Sequence, residues 1–582
     1  MFLLLCRFFV RVIYITIKFS NFVFNDKSLV NIIMIQFRLF LYVIWIVLFL
    51  TACQKDTVAE KEPSVPDELT IEPASVVLAV GESCQLVAKL NGIPLDGSKV
   101  RWESNSNLVN VDEDGKVTAI FQNEFISGLQ VEAVVQGFHA ICPITVYQEY
   151  NYKFRLILKD KGSTDYSLNQ PEKFLSAKAI ERRRKRNIAI DDSDLPISKD
   201  YLKQIEQVGG KIVCQSKWLK TVCVQCEDEK QIDKYKKLPF VEDIVKVWRG
   251  ETEKQKRIIS SVSSSTGGNM SGYSSEGYGE AWRNIILHNG QILHERGFKG
   301  EGIDIAVIDA GFMDLLNNPT LNTMHIQGAK SFVYEDSNPY NSDEHGIWVT
   351  ACMATDKPGY YIGTAPEANY WLLRSEDLSG EYPVEEDYWV AAIEYADSVG
   401  ADVVNTSLYY TGNRWPFPSH EYEEMDGKTA LPTRAANVAA NKGIFIACCA
   451  GNDGSWVGTP ADSPNVLAVG SVTTTGGIGD FTAYGMTVDG RMKPDVVALG
   501  TSACTIDIEG RIDFRNGTSY ASPILCGLAA CLWQAYPWLT NQELLEILKK
   551  SANRYDVPEL PYGCGIVDIQ KAIDLIEAMQ EE

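Results

Sequence analysis

Three short stretches of the chain carry residue types suited to nucleophilic chemistry. Asn516-Gly517-Thr518-Ser519-Tyr520-Ala521-Ser522-Pro523 runs straight into an apolar pattern in which Ala521, Ile524, Leu525, Leu528 and Leu532 recur at helical spacing. Ser519 therefore falls at a predicted helix N-terminus, where unsatisfied N–H groups and the positive end of the helix dipole favour negative charge beside its hydroxyl. Small neighbours let a substrate backbone approach. Two plainer readings stand beside this one: Ser and Thr are ordinary helix caps, and Asn516-Gly517-Thr518 also matches a glycosylation acceptor. The run Ile303-Asp304-Ile305-Ala306-Val307-Ile308 suits a buried parallel strand and ends in Asp309-Ala310-Gly311. Ligand crevices of open α/β sheets lie at such strand ends. Asp343-Glu344-His345-Gly346 opens a helix-like run through Ile347, Val349, Ala351 and Met353. An Asp, a His and a Ser in this order, each at an element terminus, have the types of an orienting carboxylate, a general base and a nucleophile.

With these residues in view, the chain resembles the subtilisin-like serine proteases, the subtilases, over roughly Gln291 to Asp568. The resemblance implies Asp309, His345 and Ser519 as a catalytic triad. Ala450-Gly451-Asn452-Asp453-Gly454, directly after the apolar run Gly443 to Ala447, is similar to the family's oxyanion segment, with Asn452 as amide donor. Asn405-Thr406-Ser407-Leu408 is similar to the family's cleft-lining strand, which puts Ser407, Leu408 and Tyr409, with Ala450 and Gly451, among the substrate-binding residues. Gly363-Thr364-Ala365-Pro366 and Tyr562-Gly563-Cys564-Gly565 also have counterparts. The chain departs from the pattern at Ile347-Trp348, where most members have Thr-His, at Tyr409, where a Gly is usual, and at Cys448-Cys449. Those positions bear on substrate preference more than on the chemistry. The resemblance allows calcium, but no acidic spacing is specific enough to name a site, and no other cofactor is expected.

At 582 residues the chain is too long for one domain; about 150 residues apiece gives three or four. A formal charge of −22 argues against a nucleic-acid partner, whose phosphates would be repelled. Protein or peptide substrates are the expected partners. Fourteen cysteines form no paired CxxC sets, and the lone Cys223-Val224-Gln225-Cys226 lies in a strand-like run. Cys448, Cys449, Cys526 and Cys531 read as buried small hydrophobes. Cys84 and Cys142 share one small β-unit, and a bridge between them is left open.

Six segments are expected. Residues 1–52 are a leader with a lipoprotein-type signal: Met34 to Arg38 is the basic start, Leu39 to Leu50 the apolar core, and Leu50-Thr51-Ala52-Cys53 the close. Cys53 would be lipidated, tethering the protein to a membrane of the bacterial cell envelope; an uncleaved membrane helix is the alternative. Residues 53–66 are a spacer, and 67–148, with short strands and a turn at Asp114-Gly115, resemble a bacterial Ig-like β-sandwich. Residues 150–250 alternate strand and helix in a split β-α-β order and, placed before the catalytic region, resemble the family's propeptide, an α+β folding helper and inhibitor. Within them Arg182-Arg183-Arg184-Lys185-Arg186 suggests a processing or localisation signal, but a solvated helix face is the preferred reading. Residues 251–280 are a Ser/Gly-rich linker open to autocleavage, and 281–582 are the catalytic region, an α/β unit with a parallel sheet and helices on both faces. The expected activity is endopeptidase hydrolysis through an acyl-enzyme. The rivals are a catalytically silent surface adhesin on a protease scaffold and a maturation protease of narrow specificity, the latter suggested by Tyr409.

Overall fold

The computed structural model describes residues 68–581 apart from 80–82, 121–127, 148–149, 252–276, 335 and 413–416. Cys53, the leader, the spacer and most of the Ser/Gly-rich linker lie outside the described residues. Among the described residues no helix is long and apolar enough to cross a membrane.

The catalytic region is built on a seven-stranded sheet. Its order is His325–Ser331, Asn369–Arg374, Asp304–Asp309, Val403–Thr406, Phe445–Cys449, Leu467–Val472 and Val496–Leu499, and every pairing is parallel. Parallel strands must be covered on both faces, and the Asp309 strand shows how. Ile305 and Val307 face one core with the helices His345–Ala354 and Thr518–Ala535, while Ala306 and Ile308 face a second core with the helices Val384–Val399 and Leu431–Asn441. The Asp309 strand comes first in the chain yet lies third in the sheet, so strand order reverses across it. The crevice at its carboxyl end is therefore the switch point at which α/β sheets bind ligands.

Two smaller units precede this one. Short strands between Leu69 and Tyr147 surround a core that includes Val117, Val131, Ala133 and Cys142. Cys84 and Cys142 are both free thiols there. The α+β unit has a four-stranded antiparallel sheet in the order Lys211–Ser216, Thr221–Cys226, Tyr150–Leu158, Val241–Glu251. Phe154, Leu156 and Leu158 bury one face of this sheet in the unit's own core. The alternating residues of the same strand face the catalytic region. Arg155 there makes a bidentate pair with Asp387 at 2.7 and 2.8 Å, and Lys153 donates to the Tyr388 hydroxyl at 2.9 Å. Glu394, on the same helix as Asp387, accepts from the Ser216 hydroxyl and from the N–H groups of Lys217 and Trp218. Burial pushes its carboxyl up to about 7, against the pull of Lys217.

The basic run is a solvated face only in part: Arg184 and Lys185 are exposed, while Arg182 and Arg183 are buried. Ser176 caps the helix Ala177–Lys185, which lies against the end of the Val384–Val399 helix, and Arg182 and Arg183 are 3% and 1% exposed. Arg183 bridges Asp194 and Asp397 at 2.8 Å each, while Arg182 binds Asp397 and the carbonyls of Ala401 and Lys442. Arg186 lies 3.8 Å over the Trp533 ring, and Lys178 pairs with Asp304 and Asp402. Apart from Asp194, eleven residues on from Arg183, the acceptors come from parts of the chain more than a hundred residues away, so local charge pattern does not reveal them. Breaking a buried pair on one side leaves the other charge uncompensated, at a cost of about 3–5 kcal/mol. Asp397→Ala, which takes from Arg182 its carboxylate and from Arg183 one of two, is expected to destabilise the full chain on that scale in urea unfolding. A loss under about 1 kcal/mol, the scale of an exposed pair, would contradict this reading of the interface.

Candidate active site

Each of the three side chains expected to form the triad is delivered by the end of an element. Asp309 is the last residue of its strand and is fully buried. His345 is the first residue of its helix, and its backbone N–H donates to Asp343 Oδ1 at 2.7 Å. Ser519 is the second residue of the Thr518–Ala535 helix, whose N-cap is Gly517 and whose start carries no side-chain cap bond. The hydroxyls of Thr518 and Ser519 are thus not spent on capping. Thr518, which a glycosylation signal would need, is fully buried.

His345 Nδ1 lies 2.7 Å from Asp309 Oδ1, which also accepts the Ala310 N–H at 2.8 Å. A carboxylate only accepts, so Nδ1 carries the proton and Nε2 of the neutral ring carries the lone pair. The ring is packed between Trp348 and Tyr520, each 6.2 Å away between centroids, and Arg515 stacks 3.6 Å over the Trp348 ring. Burial on its own would lower the imidazole pKa. The charge and hydrogen bond of Asp309 outweigh it, with help from Asp343, and push His345 up to about 9.

The Ser519 hydroxyl is not hydrogen-bonded to His345. It points to the Ser407 carbonyl at 3.4 Å, while the Ser407 hydroxyl donates to the Ser519 carbonyl at 2.8 Å. A working triad needs a hydrogen bond between each successive pair; the structure has one at Asp309–His345 and not at His345–Ser519. The contact to Ser407 is long, and one χ1 rotation redirects the hydroxyl; catalytic hydrogen bonds are often loose outside the reacting complex. Asn405 links the same parts, donating to the Ser407 hydroxyl at 3.1 Å and accepting from Ser522 at 2.8 Å.

Asn452 is oriented by a residue that sequence reasoning missed. Its Oδ1 accepts both the N–H and the hydroxyl of Thr518, at 2.8 and 2.9 Å. Two donors on one oxygen fix the amide, so Nδ2 is turned away from Thr518 and has no acceptor among the described residues. The Ser519 N–H, in the first turn of its helix, is likewise without a backbone acceptor. Thr518 was detectable only as the residue preceding Ser519; its partner is 66 positions away. Of the other cleft residues, Ala450 and Gly451 continue from the Phe445–Cys449 strand and Ser407 to Tyr409 from the Val403–Thr406 strand, so the two segments form neighbouring walls.

For calcium, the described residues offer one acidic trio: Glu376, Glu381 and Glu385 bring a carboxylate oxygen each within 4.8 Å. The set does not fit the ion. Glu376 Oε1 is taken by the hydroxyls of Tyr410 and Ser375, and both Glu385 oxygens accept backbone N–H groups of Asp377 and Tyr382. Burial, with Glu381 beside it, pushes Glu376 up to about 8, and Glu385 is likewise raised above an ordinary carboxyl.

Comparison with known proteins agrees with this architecture. Residues 300–566 match the model of the Subtilase family, residues 153–260 that of the Peptidase S8 propeptide domain, Bacteroidota, and residues 67–125 that of the Bacterial Ig-like domain (group 2). Subtilisin NAT of Bacillus subtilis subsp. natto is 32% identical over 289 residues, covering 48% of this chain and 68% of the relative. Subtilisin of Bacillus pumilus is 31% identical over 289 residues, covering 48% of this chain and 94% of the relative. Subtilisin Savinase of Lederbergia lenta is 29% identical over 281 residues, covering 48% and 93%. The chain belongs to the subtilase family and is a subtilisin-like serine protease carrying a propeptide domain and an Ig-like module.

Proposed function

We propose that the protein is a serine endopeptidase held at the bacterial cell envelope by a lipid on Cys53 and acting on proteins or peptides. Ser519 Oγ attacks the scissile carbonyl carbon as its proton passes to His345 Nε2. The resulting oxyanion is held by Asn452 Nδ2 and the Ser519 N–H. The C–N bond then breaks, the proton goes from His345 to the departing amine, and water, activated by the same imidazole, hydrolyses the ester. Asp309 keeps the imidazole in the tautomer that can accept. The observation that carries this reading is the 2.7 Å contact between Asp309 and His345 at the sheet's switch point, beside a helix start that presents Ser519 uncapped.

A fluorophosphonate probe tests the nucleophile. Its covalent capture by Ser519 in the full chain is the expected result, and an unlabelled folded protein would favour the silent adhesin. The linker 251–280 is the proposed site of self-processing, which terminal sequencing of active enzyme reads directly; an intact chain with full activity would refute it. For the anchor, radiolabelled fatty acid is expected to enter the protein and to be lost in Cys53→Ala. Failure of either refutes the lipid tether.

A further inference from the structure

We propose that Tyr409 fills the crevice that receives the acyl-side residue of the scissile bond, so that the enzyme cleaves after small residues, glycine and alanine. The proposal deepens the reading of Ser519 as nucleophile and rests on it. A carbonyl attacked by Ser519, with its oxygen on Asn452, is bracketed on one side by Ser407, whose carbonyl is 3.4 Å from the Ser519 hydroxyl, and on the other by Asn452 itself. The side chain of that residue must enter between the two walls, 407–409 and 450–452.

Side chains alternate along an extended segment. Ser407 faces the Ser519 helix, Leu408 packs into the core on the opposite face of the sheet, and Tyr409 returns to the side of Ser407. From there its ring crosses to the other wall. A Cβ built on Gly451 would stand 3.2 and 3.3 Å from Tyr409 Cε2 and Cδ2, so the ring lies against the bare glycine backbone. Its hydroxyl accepts the Asn452 N–H at 3.2 Å. The ring is therefore fixed at both walls, and swinging it aside to admit a large side chain would cost the Asn452 N–H its partner. Gly451 has a φ of +115°, which disfavours a side chain and preserves the flat surface on which the ring rests.

Internally quenched peptides that differ only at the acyl-side residue, given to the full-length protein, test this. For the parent, kcat/KM with Ala or Gly is expected to exceed that with Leu or Phe by on the order of 100-fold or more. Tyr409→Gly should erase most of that ratio by admitting the large side chains, and Tyr409→Phe, which keeps the ring, should preserve it. A parent enzyme that prefers Leu or Phe, or a Tyr409→Gly variant with the parent's ratio, overturns the proposal. Fluorophosphonate capture at Ser519 with none of the peptides cut also counts against it. Absence of both capture and cleavage instead means that the serine-nucleophile reading has failed, and this inference falls with it.

Discussion

Ser519→Ala is expected to lower turnover on casein by on the order of 10⁴- to 10⁶-fold, the scale on which subtilisin responds to loss of its nucleophile. Fold should survive, since the hydroxyl makes only the long 3.4 Å contact to Ser407 and the side chain is small and buried at a helix start. The residual rate would come from Asn452 and from substrate binding, neither of which the substitution touches. Unchanged far-UV circular dichroism with lost activity is the result that separates chemistry from folding. Hydrolysis at the parental rate would remove Ser519 from the reaction and return the helix start to a structural role.

Asp309→Asn is expected to cost about 10⁴-fold in kcat, because an amide in place of the carboxylate no longer enforces the accepting tautomer of His345. It should also move the pH profile, with a sign fixed by the site. The base works only when neutral. With His345 pushed up to about 9, parental kcat/KM should climb as pH rises through neutrality and level off only above about 9. Without the Asp309 charge, burial lowers the imidazole, and the smaller residual activity should reach its plateau at a lower pH. A profile measured on a soluble peptide substrate reads both effects. A variant whose midpoint stays with the parent's would show that Asp309 does not set the base.

The Asp309 strand in the sheet's interior was legible because burial on both faces makes it a continuous apolar run, expected over Ile303–Ile308 and found over Asp304–Asp309. The edge strand His325–Ser331 was invisible: its residues are exposed or half-buried, with Gln327 and Lys330 among them, so it shows no apolar run. The hairpin Ala503–Ile506 to Ile512–Arg515, which places Arg515 on Trp348, was also missed: its strands are four residues each, and the second is half-buried, with Asp513 and Arg515 alternating with Ile512 and Phe514. The positions of Asp309, His345 and Ser519 could be read because each sits where a run begins or ends. The hydrogen bonds that orient them could not. Thr518 with Asn452, and Ser407 with Ser519, join segments 66 and 112 residues apart, and nothing in either segment encodes the other. The same limit misled the reading of Arg182 and Arg183, whose anionic and carbonyl partners arrive only with tertiary packing.

The central claim is that Asp309, His345 and Ser519 act as one unit, although His345 and Ser519 share no hydrogen bond in the structure. The measurement that addresses it most directly is kcat/KM of Ser519→Ala, His345→Ala and the double variant on one peptide substrate. Groups that share a single proton transfer fail together, so the double variant should be no slower than either single one. Losses that multiply, each substitution taking its own factor from an already crippled enzyme, would mean that the two residues contribute independently and that the site does not work as described.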